Sequence, residues 1–256
     1  MANVDVGDLA AKVQQMYRQA AEQPHPTYHF EMGRALARRL GYPDDLLAAI
    51  PSEAVESFAG VGYFFDLAGL QPGETVIDLG SGSGMDALIA AGLVGSTGRV
   101  VGVDFTIEQL TKARRLAEQT GVNHVEFREG RIERLPADDE SLDCVISNGV
   151  INLSPDKQQI FAESDRVLRP GGRLAIADIV TTRQLTEAIV SNADLWASCI
   201  GGATQQDIYR NLIEAAGLTI KATRPNPYGF LSTQARNANL KYGVHSISLL
   251  AVKPGH

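Results

Sequence analysis

The stretch Val76-Ile77-Asp78-Leu79-Gly80-Ser81-Gly82-Ser83-Gly84 constrains this chain more than any other. Two β-branched residues lead into an acid, glycines follow at 80, 82 and 84, and a helical pattern begins near Met85. That order reads as a buried strand, a tight turn and a helix start. The glycines permit left-handed backbone and let a ligand approach bare peptide N–H groups.

From Thr75 onward, strand and helix patterns alternate. Strands are expected at 75–79, 99–103, 124–128, 142–147 and 172–178, with helices at about 85–93, 107–120 and 155–168. Thr106 with Gln109 has the form of a capping box at the start of the second helix. Such alternation implies an α/β fold, a mostly parallel sheet with helices on both faces. A helix at 205–216, a strand at 218–223 and a last strand at 246–252 follow, making seven strands. The pattern does not set the direction of that last strand. Residues 179–204 carry no clear pattern, and 224–243 reads as a long loop containing Pro, Gly and Asn. Ahead of the sheet, 8–22, 30–40, 44–49 and 52–59 read as helices without a strand. The expected organisation is a helical cap over 1–60 and an α/β domain over 61–256.

Composition narrows the class. Of 256 residues, 44% are hydrophobic, enough for a packed core. A net charge of −7 argues against general affinity for nucleic acid or an anionic membrane. The two cysteines, Cys144 and Cys199, give no disulfide framework and no CxxC zinc pattern, and no metal site is expected. Met1 to Leu9 is polar and acidic, unlike a secretory leader. No apolar run approaches the roughly 20 residues that span a bilayer. The expectation is a cytoplasmic protein with no nucleic-acid or membrane partner. Its oligomeric state is not readable.

Open α/β sheets bind ligands at the carboxyl ends of their strands. The glycine turn follows the first strand, and Asp104 ends the second, where a carboxylate can accept hydrogen bonds from both ribose hydroxyls. Dinucleotides and S-adenosylmethionine both use such a layout. The dinucleotide fingerprint is GxGxxG, whereas here its third glycine position is Met85. Asp78, just before the turn, would oppose a pyrophosphate and suits an ammonium. Glycines of this kind can also serve only close strand–helix packing. Acids on two consecutive strands favour the cofactor reading.

Residues 78–84, the Asp104 strand end, Gly130-Arg131-Ile132-Glu133-Arg134-Leu135-Pro136 and Val167-Leu168-Arg169-Pro170-Gly171-Gly172 resemble class I S-adenosylmethionine-dependent methyltransferases. The resemblance implies a Rossmann-like, seven-stranded sheet whose 61–256 domain binds S-adenosylmethionine and releases S-adenosylhomocysteine. Gly80, Gly82 and Gly84 would lie against the methionine and ribose, Asp104 would hold the ribose, and Phe105 would face adenine. Ile132 and Glu133 would meet the adenine edge, and Asn148 the sulfonium region. Tyr17 resembles a tyrosine that closes over the methionine end. Many relatives carry Asp where this chain has Arg131.

A narrower likeness is carried by Ile146-Ser147-Asn148-Gly149-Val150-Ile151-Asn152-Leu153-Ser154-Pro155-Asp156-Lys157, by Leu195 to Ala203 and by the Gly60-x-Gly62 turn. These look like arsenite methyltransferases, which bind trivalent arsenic through cysteine thiolates because a soft centre prefers sulfur. The cysteines that the likeness expects at 61 and 149 are Val61 and Gly149, which leaves Cys199. Val61 and Gly149 are therefore expected to offer an apolar wall and open space to an organic small-molecule acceptor. Tyr28, Phe30, Tyr63, Phe64 and Trp196 are candidate pocket aromatics. Cys199 and His29 are the catalytic candidates, as a substrate contact and a base. In-line methyl transfer needs orientation first, which supplies roughly 7–11 kcal/mol for a well-held pair. The alternative is arsenite methylation by Cys199 with external thiols. Outside this class stand a non-catalytic cofactor-binding protein and a nicotinamide dehydrogenase, the latter opposed by the glycine spacing.

Overall fold

A computed structural model describes residues 12, 14–16, 18, 31–191, 195–196, 200–231 and 233–255. Residues 12, 14–16 and 18 are helical. Within 31–74, four short helices precede the sheet: α1 (Gly33–Leu40), α2 (Asp44–Ala48), α3 (Ser52–Glu56) and α4 (Phe65–Ala68). Then come β1 (Thr75–Leu79), α5 (Met85–Val94), β2 (Arg99–Asp104), α6 (Ile107–Thr120), β3 (Val125–Glu129), β4 (Leu142–Asn148), α7 (Lys157–Val167) and β5 (Leu168–Thr181). The chain continues through α8 (Glu187–Val190), β6 (Thr204–Gln205), α9 (Gln206–Ala215), β7 (Thr219–Pro225), α10 (Thr233–Tyr242) and β8 (Val244–Val252).

The strand order is β3-β2-β1-β4-β5-β8-β7, with β6 joined to β5. β1 to β5 are parallel, while β8 inserts antiparallel between β5 and β7, which settles its direction. Successive residues of the inner strands face opposite sides. Val76 and Ile146 join a cluster with Leu36, Val55, Leu88 and Leu110, whereas Ile77 and Val145 join one with Ile160, Phe161, Tyr209 and Ile213. Both faces are thus covered, as a parallel sheet requires.

Two elements are added to those expected. The seven expected strands form the sheet, and a two-residue eighth is added to them because β5 outruns its neighbour. β4 ends at the pairing of Asn148 with Ala177, so the tip of β5 at Val180 and Thr181 is left to pair with Thr204 and Gln205. A two-residue strand leaves no readable pattern. The loop expected at 224–243 also contains α10, a polar helix whose composition hides it.

Candidate functional site

β1 pairs with β2 on one side and with β4 on the other, and the chain reverses its direction of travel across the sheet there. The carboxyl ends at this switch point open into a crevice, the place where such sheets bind ligands. Its walls include Asp78, Gly80, Gly82, Asp104, Phe105, Ile132, Glu133 and Asn148, the described part of the predicted cofactor set other than Gly84.

The glycine turn is pinned to β2. Gly80 and Ser81 N–H groups donate to the Val103 carbonyl at 2.7 and 3.0 Å. Gly82 N–H donates to Asp104 Oδ2 at 3.0 Å, and Thr106 N–H donates to Asp104 Oδ1 at 2.8 Å. Asp104 is thereby fixed before any ligand arrives. Its pKa is raised by burial, against the opposing effect of these hydrogen bonds. Gly84 does not wall the crevice. It starts α5 in a left-handed conformation, φ +90°, where a Cβ would lie 2.7 Å from the Phe127 ring. The expected capping box is absent too: the Thr106 side chain makes no cap bond, and Gln109 Oε1 accepts the Ser83 hydroxyl at 2.5 Å. Gln109 braces the glycine turn instead, and Thr106 holds Asp104.

Asp78 and Ser81 carry the clearest sign of a ligand. Asp78 is 2% exposed, and neither its Oδ2 nor the buried Ser81 Oγ has a hydrogen-bond partner. A buried polar atom without a partner is costly. Burial, then the charges of Asp86 and Asp104, push the Asp78 carboxyl well above the usual carboxylate range. An acid with one unpartnered oxygen beside a bare-backbone turn fits a cationic, hydrogen-bond-donating group.

Asn148 turns out to be a junction. Its Oδ1 accepts Val61 N–H at 2.7 Å and Gly62 N–H at 3.3 Å. Its Nδ2 lies 3.0 Å from each of the Gly62 carbonyl, Tyr42 Oη and Asp86 Oδ2, so its two N–H groups are shared among three acceptors. Tyr42 Oη in turn donates to Asp86 Oδ1 at 2.6 Å. Asp86, a wall residue that the sequence reading passed over, is raised to about 6 by burial against these two hydrogen bonds. One signal was available: Asp86 is the charged residue in the otherwise apolar helix MDALIAAGLV.

The outer wall differs from expectation. Met32, Ala54 and Phe58 from the helical segment, with Val150 and Leu153, supply the apolar surface. Tyr63, Phe64 and Trp196 are not wall residues: Tyr63 packs edge-on to Tyr42 at 5.0 Å, while Phe64 and Trp196 are buried. Nor is Gly149 beside open space. A Cβ there would sit 3.1 Å from Val61 Cγ1, so the valine fills the gap. Cys144 is buried and its thiol is pushed up to about 12, chiefly by burial, which makes it inert. Glu133 engages Ser154 Oγ at 2.5 Å and Arg131 Nε at 3.7 Å. Tyr17, His29 and Cys199, with Tyr28 and Phe30, lie outside the described residues. Among the described residues no histidine or cysteine walls the crevice, and no helix is long and apolar enough to cross a membrane.

Residues 70–217 match the family described as a methyltransferase domain. The chain is 39% identical over 220 residues to an arsenite methyltransferase of Halobacterium salinarum, covering 85% of this chain and 56% of that protein. It is 43% identical over 137 residues to the human arsenite methyltransferase, covering 50% of this chain and 36% of that one. An arsenic(III) S-adenosylmethionine methyltransferase from Chlamydomonas reinhardtii superposes with a TM-score of 0.68 at 32% identity, over 88% of this chain and 74% of that structure. The chain belongs to the class I S-adenosylmethionine-dependent methyltransferases, in the branch that includes the arsenite methyltransferases. It spans about half the length of the curated relatives it matches.

Proposed function

We propose that this chain is a methyltransferase that moves the methyl group of S-adenosylmethionine to an organic small molecule. The observation that carries the choice of acceptor is the contact of Val61 with the position of Gly149. The family resemblance expects metal-ligating thiols at these two places, and here a branched hydrocarbon closes over a residue with no side chain. Neither residue walls the crevice, where the expectation put Val61; among the described residues the outer apolar lining is Met32, Ala54, Phe58, Val150 and Leu153, and such a wall without thiols suits a carbon-rich acceptor better than a metalloid.

S-adenosylmethionine supplies an already activated sulfonium methyl. The chain's work is to bind, orient and exclude water. Asp104 and the turn at Gly80 and Gly82 hold the ribose side, Phe105, Ile132 and Glu133 border the adenine, and Asp78 faces the ammonium. Residues 1–60 act as the cap: Met32, Ala54 and Phe58 wall the crevice, and Gln14 Nε2 donates to the Phe105 carbonyl at 3.1 Å. His29 is the proposed base where the acceptor must lose a proton.

The second reading is arsenite methylation, favoured by the names of the relatives. It requires Cys199 and external thiols as ligands. Labelled S-adenosylmethionine incubated with oxygen, nitrogen, carbon and sulfur nucleophiles, and separately with arsenite and glutathione, tests the choice. Transfer to an organic acceptor supports the first reading. Arsenite turnover lost in Cys199→Ser, with no organic acceptor methylated, overturns it.

A further inference from the structure

The crevice holds more negative charge than the cofactor roles above use. Asp78 lies one residue before the end of β1, Asp86 lies in the first turn of α5, Asp104 ends β2, and all three are at most 8% exposed on the same cavity. Glu133 adds a fourth carboxylate after β3. The cation among the described wall residues is Arg131, whose side chain is 60% exposed and paired with Glu133. Asp104 has backbone donors on both oxygens. Asp86 has Tyr42 Oη on one oxygen and Asn148 Nδ2 on the other. Asp78 has the backbone N–H of Ala87 and an Oδ2 with nothing. Tyr42, after α1, is itself held neutral by burial and by Asp86.

Uncompensated carboxylates buried on one shared cavity resist being ionised together. Either a proton or an external cation must balance them. Each oxygen of Asp86 keeps a free lone pair after its one hydrogen bond. Tyr42 and Asn148 belong to different elements and clamp this carboxylate from two sides, so its orientation is set in advance.

We propose that Asp86 is a second recognition residue for the amino-acid end of the methyl donor: with Asp78 it forms a carboxylate pair that takes the donor's ammonium, and the pair releases a proton when the pocket loads. This rests on the donor reading of the crevice. In the free protein the proton sits on the pair, mainly on Asp78, whose unpartnered oxygen carries it. On loading, that O–H bond breaks, the proton passes to solvent, and N–H donors of the ammonium replace it. Burial raises both carboxyls and so supports protonation of the pair before loading.

Calorimetric titration of the wild-type chain with S-adenosylhomocysteine, in buffers of differing ionisation enthalpy at pH 7, counts the protons exchanged. The expected result is release of a large fraction of a proton. 5′-Methylthioadenosine, which lacks the amino-acid end, is expected to bind with none. In Asp86→Asn, S-adenosylhomocysteine should weaken by at least about tenfold while 5′-methylthioadenosine changes by less than about twofold, which also reports that the variant is folded. Equal proton counts for the two ligands, or equal weakening of both, overturn the pair. Should Asp86→Asn not fold, the wild-type comparison still decides. Failure of both ligands to bind overturns the donor reading itself, a result distinct from loss of the proton signal alone.

Discussion

Asn148 Oδ1 accepts the Val61 N–H at 2.7 Å, tying the turn ahead of the sheet to the end of β4. The same side chain donates to Asp86 on α5. Asn148 therefore holds three elements together from a single position. Asn148→Ala leaves the Val61 and Gly62 N–H groups and the Gly62 carbonyl without this partner. A buried group left unpaired costs about 1–3 kcal/mol each. Urea unfolding should show a loss of at least that size, and S-adenosylhomocysteine affinity should fall with it as the turn and Asp86 loosen. Unchanged stability would mean that water replaces the amide.

Gly84 makes a sharper test of the glycine turn. Its φ of +90° is left-handed, and an added Cβ would meet Phe127 Cζ at 2.7 Å. Gly84→Ala combines backbone strain with overpacking, about 2–5 kcal/mol in all. Phe127→Leu in the same chain removes the ring and should recover the overpacking part alone. A double-mutant cycle read by denaturant unfolding separates the two contributions. Full recovery in the double variant would show that the backbone conformation costs nothing.

Those two residues show how legibility divides. The strand-turn-helix at 75–94 was readable because its signals are local: β-branched residues, then glycines, then helix formers. The helix at 107–120 was readable for the same reason, by its period. Gly84 was recognisable as a turn residue, yet only the fold shows that it faces Phe127, 43 residues later in the chain. Asn148 looked like a cofactor contact, and its links to Tyr42, Val61 and Asp86 span up to 106 residues. Asp86 was passed over because one acid near a helix N-terminus is ordinary; its significance comes from the carboxylates that the sheet brings beside it. β6 and α10 escaped because one is two residues long and the other is mostly polar.

Positions 61 and 149 touch, so a pair of thiols placed there would be close enough to share one trivalent arsenic. Gly149 has φ +73°, and its Cβ would meet Val61 Cγ1, so Gly149→Cys alone should destabilise the chain. Val61→Cys combined with Gly149→Cys removes the branched side chain and relieves part of that contact. Equilibrium dialysis with arsenite should then show binding at least about tenfold tighter than in the wild type, because a second thiolate acts at high effective concentration. Unchanged binding would show that the two positions do not form a metalloid site in this fold.

Asp178 gives a pH signature on the other side of the sheet. It is 1% exposed, and its carboxylate accepts Tyr209 Oη at 2.7 Å, Ile179 N–H at 2.9 Å and Asn152 N–H at 3.3 Å. Burial nevertheless raises it from 3.8 to about 6, with these hydrogen bonds and Lys157 opposing. Between those two values the folded chain binds more protons than the unfolded one. Its contribution to stability is therefore fully present below about pH 3.8 and is lost as pH rises through about 6. Asp178→Asn removes the titration while keeping an acceptor for the backbone N–H groups and a donor to Tyr209 Oη. Urea unfolding from pH 4 to 7 should show the wild type losing stability relative to Asp178→Asn, with the difference levelling above about pH 6. A constant difference across that range would mean that Asp178 is ionised throughout, its hydrogen bonds outweighing burial.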